Sequence, residues 1–552
     1  MSSGRPPRRL LGTSEHGGES GESAAHARGP AATHTGSVSG DNPETAEPLS
    51  GSREANVAQI RKVLGNPPDL AVRELSLGTG GQVAVAVIAL TGMSDADVIN
   101  ENILKSATLE ARADLFDAEP AVVFDRLRQL VLTVTTVLQA ATLAEVADQI
   151  LGGDTAVLVD GHPVALICDT AGFKMREIGE PITEGLVRGP REAFTENLAT
   201  NVTLLRRKIR SPRLRFHELR IGAVSQTRVT VAHIDGIARP DIIDEVFRRL
   251  NGIRTDAILE SGYIEEFLED HPASWFPQID HTERPDKVAA ALLEGRVAIL
   301  TNNTPFALIV PTVFIHFLQS SEDYYERSVF ATAVRLVRVL GIVVAVVLPA
   351  AYVAVITIHQ EILPLALVLS VAGSREGNPF PALIEAVIME AVFELLREAG
   401  VRLPRPVGQA VSIVGGLVIG EAAVRAGIAS PAMVVVVAVT GIANFSVPAF
   451  SLALTLRLLR FLMMLLAALM GIPGITLAAL AVLGHMAALR SFGVPYLSPI
   501  APARYGQWLD VLVRAPRWAM SRRPAPFAQD RVRQEPAQKP MPPRQNRSEK
   551  GG

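Results

Sequence analysis

Thr282 to Pro311 reads TERPDKVAAALLEGRVAILTNNTPFALIVP, and its two halves follow different rules. The first half has the proline, the charges and the amphipathic spacing of a soluble helix that leads into a short strand. The second half turns apolar, and much of the remaining chain stays so. The chain changes solvent here.

Upstream of this point, from Asn56 to Val310, short apolar runs alternate with amphipathic stretches, the pattern of an α/β region. The region contains a repeat. VAVAVIALTGMSDADVINENIL (Val83 to Leu104) resembles RVTVAHIDGIARPDIIDEVFRRL (Arg228 to Leu250), with Gly92 against Gly236 and Asp97-Val98-Ile99 against Asp241-Ile242-Ile243. EVADQILGGDTAVLVDGHPVALI (Glu145 to Ile167) lies against KVAAALLEGRVAILTNNTPFALI (Lys287 to Ile309), with Gly153 against Gly295 and Pro163 against Pro305. Two pairs at nearly one offset predict a duplicated subdomain, each copy with a helix, a strand, a tight polar turn and a second strand. The opening stretch is then the terminal hairpin of the second copy, which ends at Pro311.

The chain has 552 residues, a formal net charge of -3, 20% charged residues and 48% hydrophobic residues. That balance gives no global attraction to nucleic acid, and the apolar excess lies mostly after Arg327. One cysteine, Cys168, leaves no intrachain disulfide framework and reads as a buried thiol. Met1 to Ser52 lacks an apolar signal core and is expected to be a disordered leader, and the Arg-, Pro- and Gln-rich end from Arg522 a disordered tail.

Val339 to Ile358 (VLGIVVAVVLPAAYVAVITI) is an uncharged run of about 20 residues, long enough to cross a bilayer as a helix. Ala426 to Leu456 is a longer uncharged run, and Val407 to Gly420 is shorter and rich in small residues that let helices approach closely. Phe461 to Leu489 is interrupted by GIPG at Gly471 to Gly474 and reads as two short helices that dip in and return, with a single long tilted span as the rival. Arg457 and Arg460 before it, and the arginines after it, place both ends on the cytoplasmic side. An even number of crossings, four to six, follows. The expected layout is a leader over 1–55, α/β subdomains over 56–200 and 201–310, a polytopic helical transmembrane domain over 311–500, and a basic cytoplasmic tail over 501–552.

Polar residues inside the apolar half are the candidates for function. Glu385, Glu390, Glu394 and Glu398 fall in PFPALIEAVIMEAVFELLREAG, and the spacing of four puts the last three on one stripe. Such a stripe can attract cations or line their path, or it can be the solvated face of an interfacial helix with Arg397 as a local partner. Asn444 stands in a long apolar run, as a pore-lining residue or as a hydrogen-bonding contact between helices. Arg335 and Arg338, just before the first span, read as snorkelling ends, with paired intramembrane charges as the alternative. Enzyme signatures are poor. LGTGGQ (Leu77 to Gln82) lacks the Gly-Lys-Ser/Thr ending of a phosphate loop, and no HExxH, CxxC or GxSxG occurs. The basic run LRRKIRSPRLRFHELR (Leu205 to Arg220) has one aromatic residue and reads as a solvated helix and loop facing headgroups or a partner rather than nucleic acid.

Six ordered motifs carry a resemblance: EPITEGLVRGPREAFTENLATNVTLLRRKIRSPRL (Glu180 to Leu214), FPQIDHTERPDKVAAALLEGRVAIL (Phe276 to Leu300), EDYYERS (Glu322 to Ser328), LPAAYVAVITIHQEILP (Leu348 to Pro364), FELLREAGVRLPRPVGQAVSIVGGLVIGEAAVRAGI (Phe393 to Ile428) and GVPYLSP (Gly493 to Pro499). They resemble the A-subunit family of bacterial spore germinant receptors, over roughly Gly65 to Pro502. Arg284, Pro285, Asp286, Pro349, Tyr352, Glu361, Pro364, Gly415, Gly416 and Gly420 are positions within those motifs. The resemblance implies a protein of the spore inner membrane that acts with a transporter-like B subunit and a lipoprotein C subunit, without a cofactor. It implies a homo-oligomer that couples nutrient sensing to release of monovalent cations as an ion channel. A non-conducting scaffold for the other subunits is the alternative, as is the branch linked to dipicolinic-acid transport.

Overall fold

The computed structural model describes residues 47–77, 83–110, 119–172, 179–402, 416 and 418–533. The expected leader therefore lies outside the described residues up to 46. The remainder of it is ordered, since Ser52 accepts a hydrogen bond from Ala55 N and caps helix α1, Arg53–Leu64.

The first domain continues with β1 (Leu70–Leu77), β2 (Val83–Leu90), β3 (Val137–Ala140), α2 (Leu143–Gly152), β4 (Thr155–Val159) and β5 (Ala165–Cys168). Its sheet has the order β1-β2-β4-β5-β3, antiparallel throughout. The second domain comprises α3 (Leu198–Lys208), β6 (Leu214–Ile221), β7 (Thr227–Ile234), α4 (Pro240–Gly252), α5 (Ser261–Leu268), β8 (Asp280–Thr282), α6 (Pro285–Leu293), β9 (Val297–Thr301) and β10 (Ala307–Val310). Its sheet order, β6-β7-β9-β10-β8, repeats the first strand for strand. The predicted duplication is present, and it extends over five strands and two helices rather than the two segments seen in the sequence.

Local chemistry explains the repeat. Thr142 and Glu145 form a capping box that opens α2, while Pro285 at the first position opens α6. Both helices end at glycines in the left-handed region, Gly153 at φ 104° and Gly295 at φ 90°. The hairpin strands β4, β5, β9 and β10 are buried at every position, so they read as continuous apolar runs instead of alternating ones. One face of the second sheet, with Phe216, Leu300 and Ile309, packs against α3 and α6. Its other face, with Val231, Ile299 and Leu308, shares one continuous core with the helical half through Phe317 and Tyr496.

Arg207, Arg210, Arg213 and Arg220 of the basic run are exposed as expected, but Arg206 is not. Arg206 is 2% exposed and clamps Asp69 of the first domain through Nε and Nη2, at 2.5 and 2.8 Å. Arg206 is an interdomain joint because α3 turns that side chain toward the β1 side of the first domain.

The helical half holds α7 (Ser328–Thr357), α8 (Leu365–Arg375), α9 (Ala382–Arg402), α10 (Pro431–Asn444), α11 (Phe450–Met470) and α12 (Ile472–Ala488). Among the described residues α7 and α11 are long and apolar enough to cross a membrane. The long run from Ala426 divides into α10 and the start of α11. Gly471, at φ 65°, breaks the run as read and the two helices pack together, but α11 has 21 residues and is not a short dipping helix. However, α11 begins at Phe450, so Arg457 and Arg460 lie inside it and do not mark a cytoplasmic flank. α12 returns toward the second domain, where His485 Nε2 is 2.9 Å from Ser274 Oγ. The segment after α12 then meets the start of the helical half, with Phe314 N donating to Tyr496 O at 2.8 Å. Both ends of the helical half thus lie on the side of the second domain.

The expected disordered tail also needs correction over 501–533. Arg533 is 2.9 Å from Glu294, and Arg239 N donates to Phe527 O at 3.2 Å. Residues 534–552 lie outside the described residues.

Candidate functional site: buried ion pairs in the helical half

The ion-path candidates Glu385, Glu390, Glu394 and Asn444 are found in one region of the helical half, the three glutamates on α9. Glu385, in its first turn, is fully buried, and its Oε1 accepts from Ser430 N and Ser430 Oγ, both at 2.6 Å. Its Oε2 is 3.2 Å from Arg375 Nη2. Ser430 caps α10 and lies 3.0 Å from Tyr352 OH of α7, so one carboxylate joins three helices and the end of α8.

Further along α9, Glu390 is fully buried and pairs with Arg460 of α11, whose Nε donates to Ala345 O of α7 at 2.9 Å. Glu394 is 3.3 Å from Arg457, one turn earlier on α11. The spacing of four on α9 therefore meets a spacing of three on α11, which is how two facing helices bring two pairs into register. Glu390 and Glu394 face the bundle while Glu398 is exposed, so the stripe runs from buried to solvated, and Arg397 lies 5.5 Å over the Phe445 ring. Asn444, the last residue of α10, is 4% exposed.

Several polar atoms of this region have no hydrogen-bond partner among the described residues: Glu390 Oε1, Arg460 Nη2, Arg457 Nε and Nη2, Arg375 Nη1 and Asn444 Oδ1. Buried polar atoms are normally satisfied, so this region is chemically equipped to hold water, a small ion or a polar group from another subunit.

At the base of α7, Arg335 and Arg338 share Asp323. Arg335 Nε donates to Asp323 Oδ2 at 2.9 Å and its Nη1 to Asp510 Oδ1 at 2.8 Å, while Arg338 Nη1 is 3.0 Å from Asp323 Oδ2. They are buried and paired, not snorkelling, because Asp323 and Asp510 come from segments flanking the helical half. Tyr324 OH also donates to Asp510 at 2.8 Å, and burial pushes the Asp510 carboxyl above its usual range.

The motif positions are mostly structural. Arg284 is 2% exposed and donates to Glu184 O, Pro190 O and Asp286 Oδ2, at 3.1, 2.9 and 2.9 Å. Pro285 starts α6, and Asp286 accepts from Tyr325 OH at 2.5 Å. This cluster pins the 184–190 segment and the 322–327 turn to the second domain. Pro349 is buried within α7, Glu361 is exposed in the turn Gln360–Ile362, and Pro364 precedes α8. Gly415 lies outside the described residues. Gly416 has open space where a Cβ would stand, and at Gly420 a Cβ would make ordinary contact with Val434.

Sequence reading missed the cationic partners Arg375, Arg457 and Arg460. A signal for two of them existed, since arginines three apart inside an apolar run ask for buried carboxylates.

The chain matches the Bacillus/Clostridium GerA spore germination protein family over residues 58–526. It is 44% identical to spore germination protein KA of Bacillus subtilis (strain 168) over 90% of each chain. It is 42% identical to spore germination protein GerLA of Bacillus cereus, over 86% of this chain and 96% of that one. Among solved structures, the N-terminal domain of the A subunit of the Bacillus megaterium spore germinant receptor GerK3 is 31% identical. That match covers 49% of this chain and 98% of that one, with a TM-score of 0.39.

Proposed function

Because the chain belongs to the Bacillus/Clostridium GerA family of spore germination proteins, we propose that it serves as the A subunit of a nutrient germinant receptor and forms, as an oligomer, a path for monovalent cations. The observation that carries this reading is that α9 sets Glu390 fully buried and Glu394 half-buried one turn apart in an apolar bundle, with Glu385 buried nearer the helix start and polar atoms left unpartnered beside them. Carboxylates so placed lower the cost of a cation inside a membrane, and their arginine partners supply a closed state in which that charge is occupied.

In this reading the protein sits in the spore inner membrane with both α/β domains on the cytoplasmic side. A transporter-like B subunit and a lipoprotein C subunit complete the receptor. Germinant binding at a partner biases the α/β domains, and the shared core of the second domain and the bundle carries the bias to the helices. A ligand shifts such a gate only by its differential affinity for the two states.

The pairing of each carboxylate favours a second reading, a non-conducting scaffold whose charges lock helices together. Potassium flux from liposomes separates the two. Flux that depends on nutrient and on the B subunit, and that falls severalfold in Glu390→Gln and Glu394→Gln at normal expression, is expected for the path. No flux from an assembled complex would favour the scaffold. Nutrient-independent release of dipicolinic acid would place the chain in the branch linked to that transport.

A further inference from the structure

The duplication supplies an internal comparison for the C-terminal segment. In the first domain the chain leaving β5 turns back across the end of β2. Asp95 N donates to Thr170 O at 2.8 Å, Gly172 N donates to Met93 O at 3.3 Å, and Ser94 and Ala171 form an antiparallel bridge between these bonds. In the second domain the chain leaving β10 departs at Pro311 for the helical half.

The backbone equivalent to Met93–Asp95 is Ile237–Arg239, and it meets the C-terminal segment instead. Arg239 N donates to Phe527 O at 3.2 Å, Gln529 N donates to Ile237 O at 2.8 Å, and Ala238 and Ala528 form the bridge. Thr170, Ala171 and Gly172 thus correspond, bond for bond, to Phe527, Ala528 and Gln529. The glycines agree. A Cβ on Gly153 would stand 3.3 Å from Ala171 Cβ, and one on Gly295 would stand 2.9 Å from Ala528 Cα. Phe527 is 2% exposed, while Arg523 donates to Leu293 O at 2.9 Å and Arg533 pairs with Glu294.

We infer that the second α/β domain carries a peptide-docking groove, built from Ile237–Arg239 and Gly295, whose ligand is a short apolar turn that ends in a bridging residue and is flanked by arginines. Residues 524–529 are that ligand in cis. Diversion of the chain at Pro311 leaves the backbone N–H of Arg239 and the carbonyl of Ile237 without the local partner their counterparts have, and a backbone bridge from the C-terminal segment satisfies them. The docked segment therefore tethers the end of the helical half to the second domain, in parallel with the covalent link through Pro311. The inference does not depend on whether the helices conduct.

The full chain tests it directly. Ala238 and Ala528 are a non-hydrogen-bonded antiparallel pair, for which Cα atoms stand about 4.5 Å apart, within disulfide reach. With Cys168→Ala removing the native thiol, Ala238→Cys/Ala528→Cys is expected to form an intrachain disulfide in oxidised membranes, identified as a linked 238–528 peptide from the monomer band. A disulfide-linked dimer would mean that a second copy fills the groove, and free thiols that the groove is empty; either overturns the assignment. In a second arm, a fluorescent peptide spanning 522–533 should bind a chain ending at Ser521 at least tenfold more tightly than the full chain, whose groove is filled. Equal binding would overturn it, and if the shortened chain does not fold the disulfide decides alone.

Discussion

Arg460 of α11 and Glu390 of α9 form an ion pair with side-chain exposures of 2% and 0%. Taking both charges out of water is costly, and removing one partner leaves the other buried and uncompensated. Glu390→Leu or Arg460→Met alone should cost about 3–5 kcal/mol, and the double variant should recover most of that loss. Thermal unfolding of the detergent-solubilised protein reads the difference. Additive losses would show that the pair does not act as a unit.

Close packing of the helices makes a second prediction. A Cβ on Gly441 of α10 would collide with the Phe393 ring of α9, and one on Gly341 of α7 with Ser446 Oγ beside the end of α10. Each glycine leaves room for a neighbouring side chain, which lets the elements pack closely. Gly441→Val should separate α9 from α10 and lower stability by about 1–3 kcal/mol, the range for overpacking. Gly373→Ala, where a Cβ has open space, should leave the melting temperature within a degree or two.

Glu265 predicts a pH dependence outside the helical half. Burial pushes its carboxyl up to about 8, with Glu269, Glu260, Asp280 and Glu266 raising it further. A carboxyl raised in the folded state is favoured there as the neutral acid, so its contribution is fully present below the ordinary glutamate range. That contribution fades as pH rises through about 8. Glu265→Gln should therefore stabilise the protein above pH 8 by on the order of 1 kcal/mol or more and change little near pH 4. An equal effect at both ends of the range would remove the titration as its cause.

Much of the architecture was legible because period and punctuation record it. Gly153 and Gly295, Gly92 and Gly236 all stand at positive φ, and no other residue type ends those elements so cheaply, so the repeat showed in glycines first. The break at Gly471 was legible for the same reason. The buried pairs were not. Glu390 and Arg460 are 70 residues apart, and nothing local in either helix states which face meets which. Arg206, read as solvated, is paired across the domain joint, since a basic run looks the same whether its acid lies in water or in Asp69. The tail misled through composition: Arg- and Pro-rich sequence lacks a core of its own, but residues up to 533 borrow one from the second domain.

Cys168 gives the last prediction. It lies in β5, between β4 and β3, and its side chain is buried in the core that also holds Val157, Leu166 and Phe124. Burial pushes its thiol up to about 12, with the Asp154 carboxylate adding to the effect. Only the thiolate attacks a maleimide, so at pH 8 the native chain should react on the order of a thousandfold more slowly than the unfolded one. The reaction then reports opening of the first domain, because β5 cannot expose Cys168 while paired on both sides. Arg206→Ala, which frees Asp69 of its clamp, should leave this rate unchanged if the joint only positions the two domains, and raise it severalfold if the joint also stabilises the first. Labelling the single thiol with and without Arg206 distinguishes the two by rate alone.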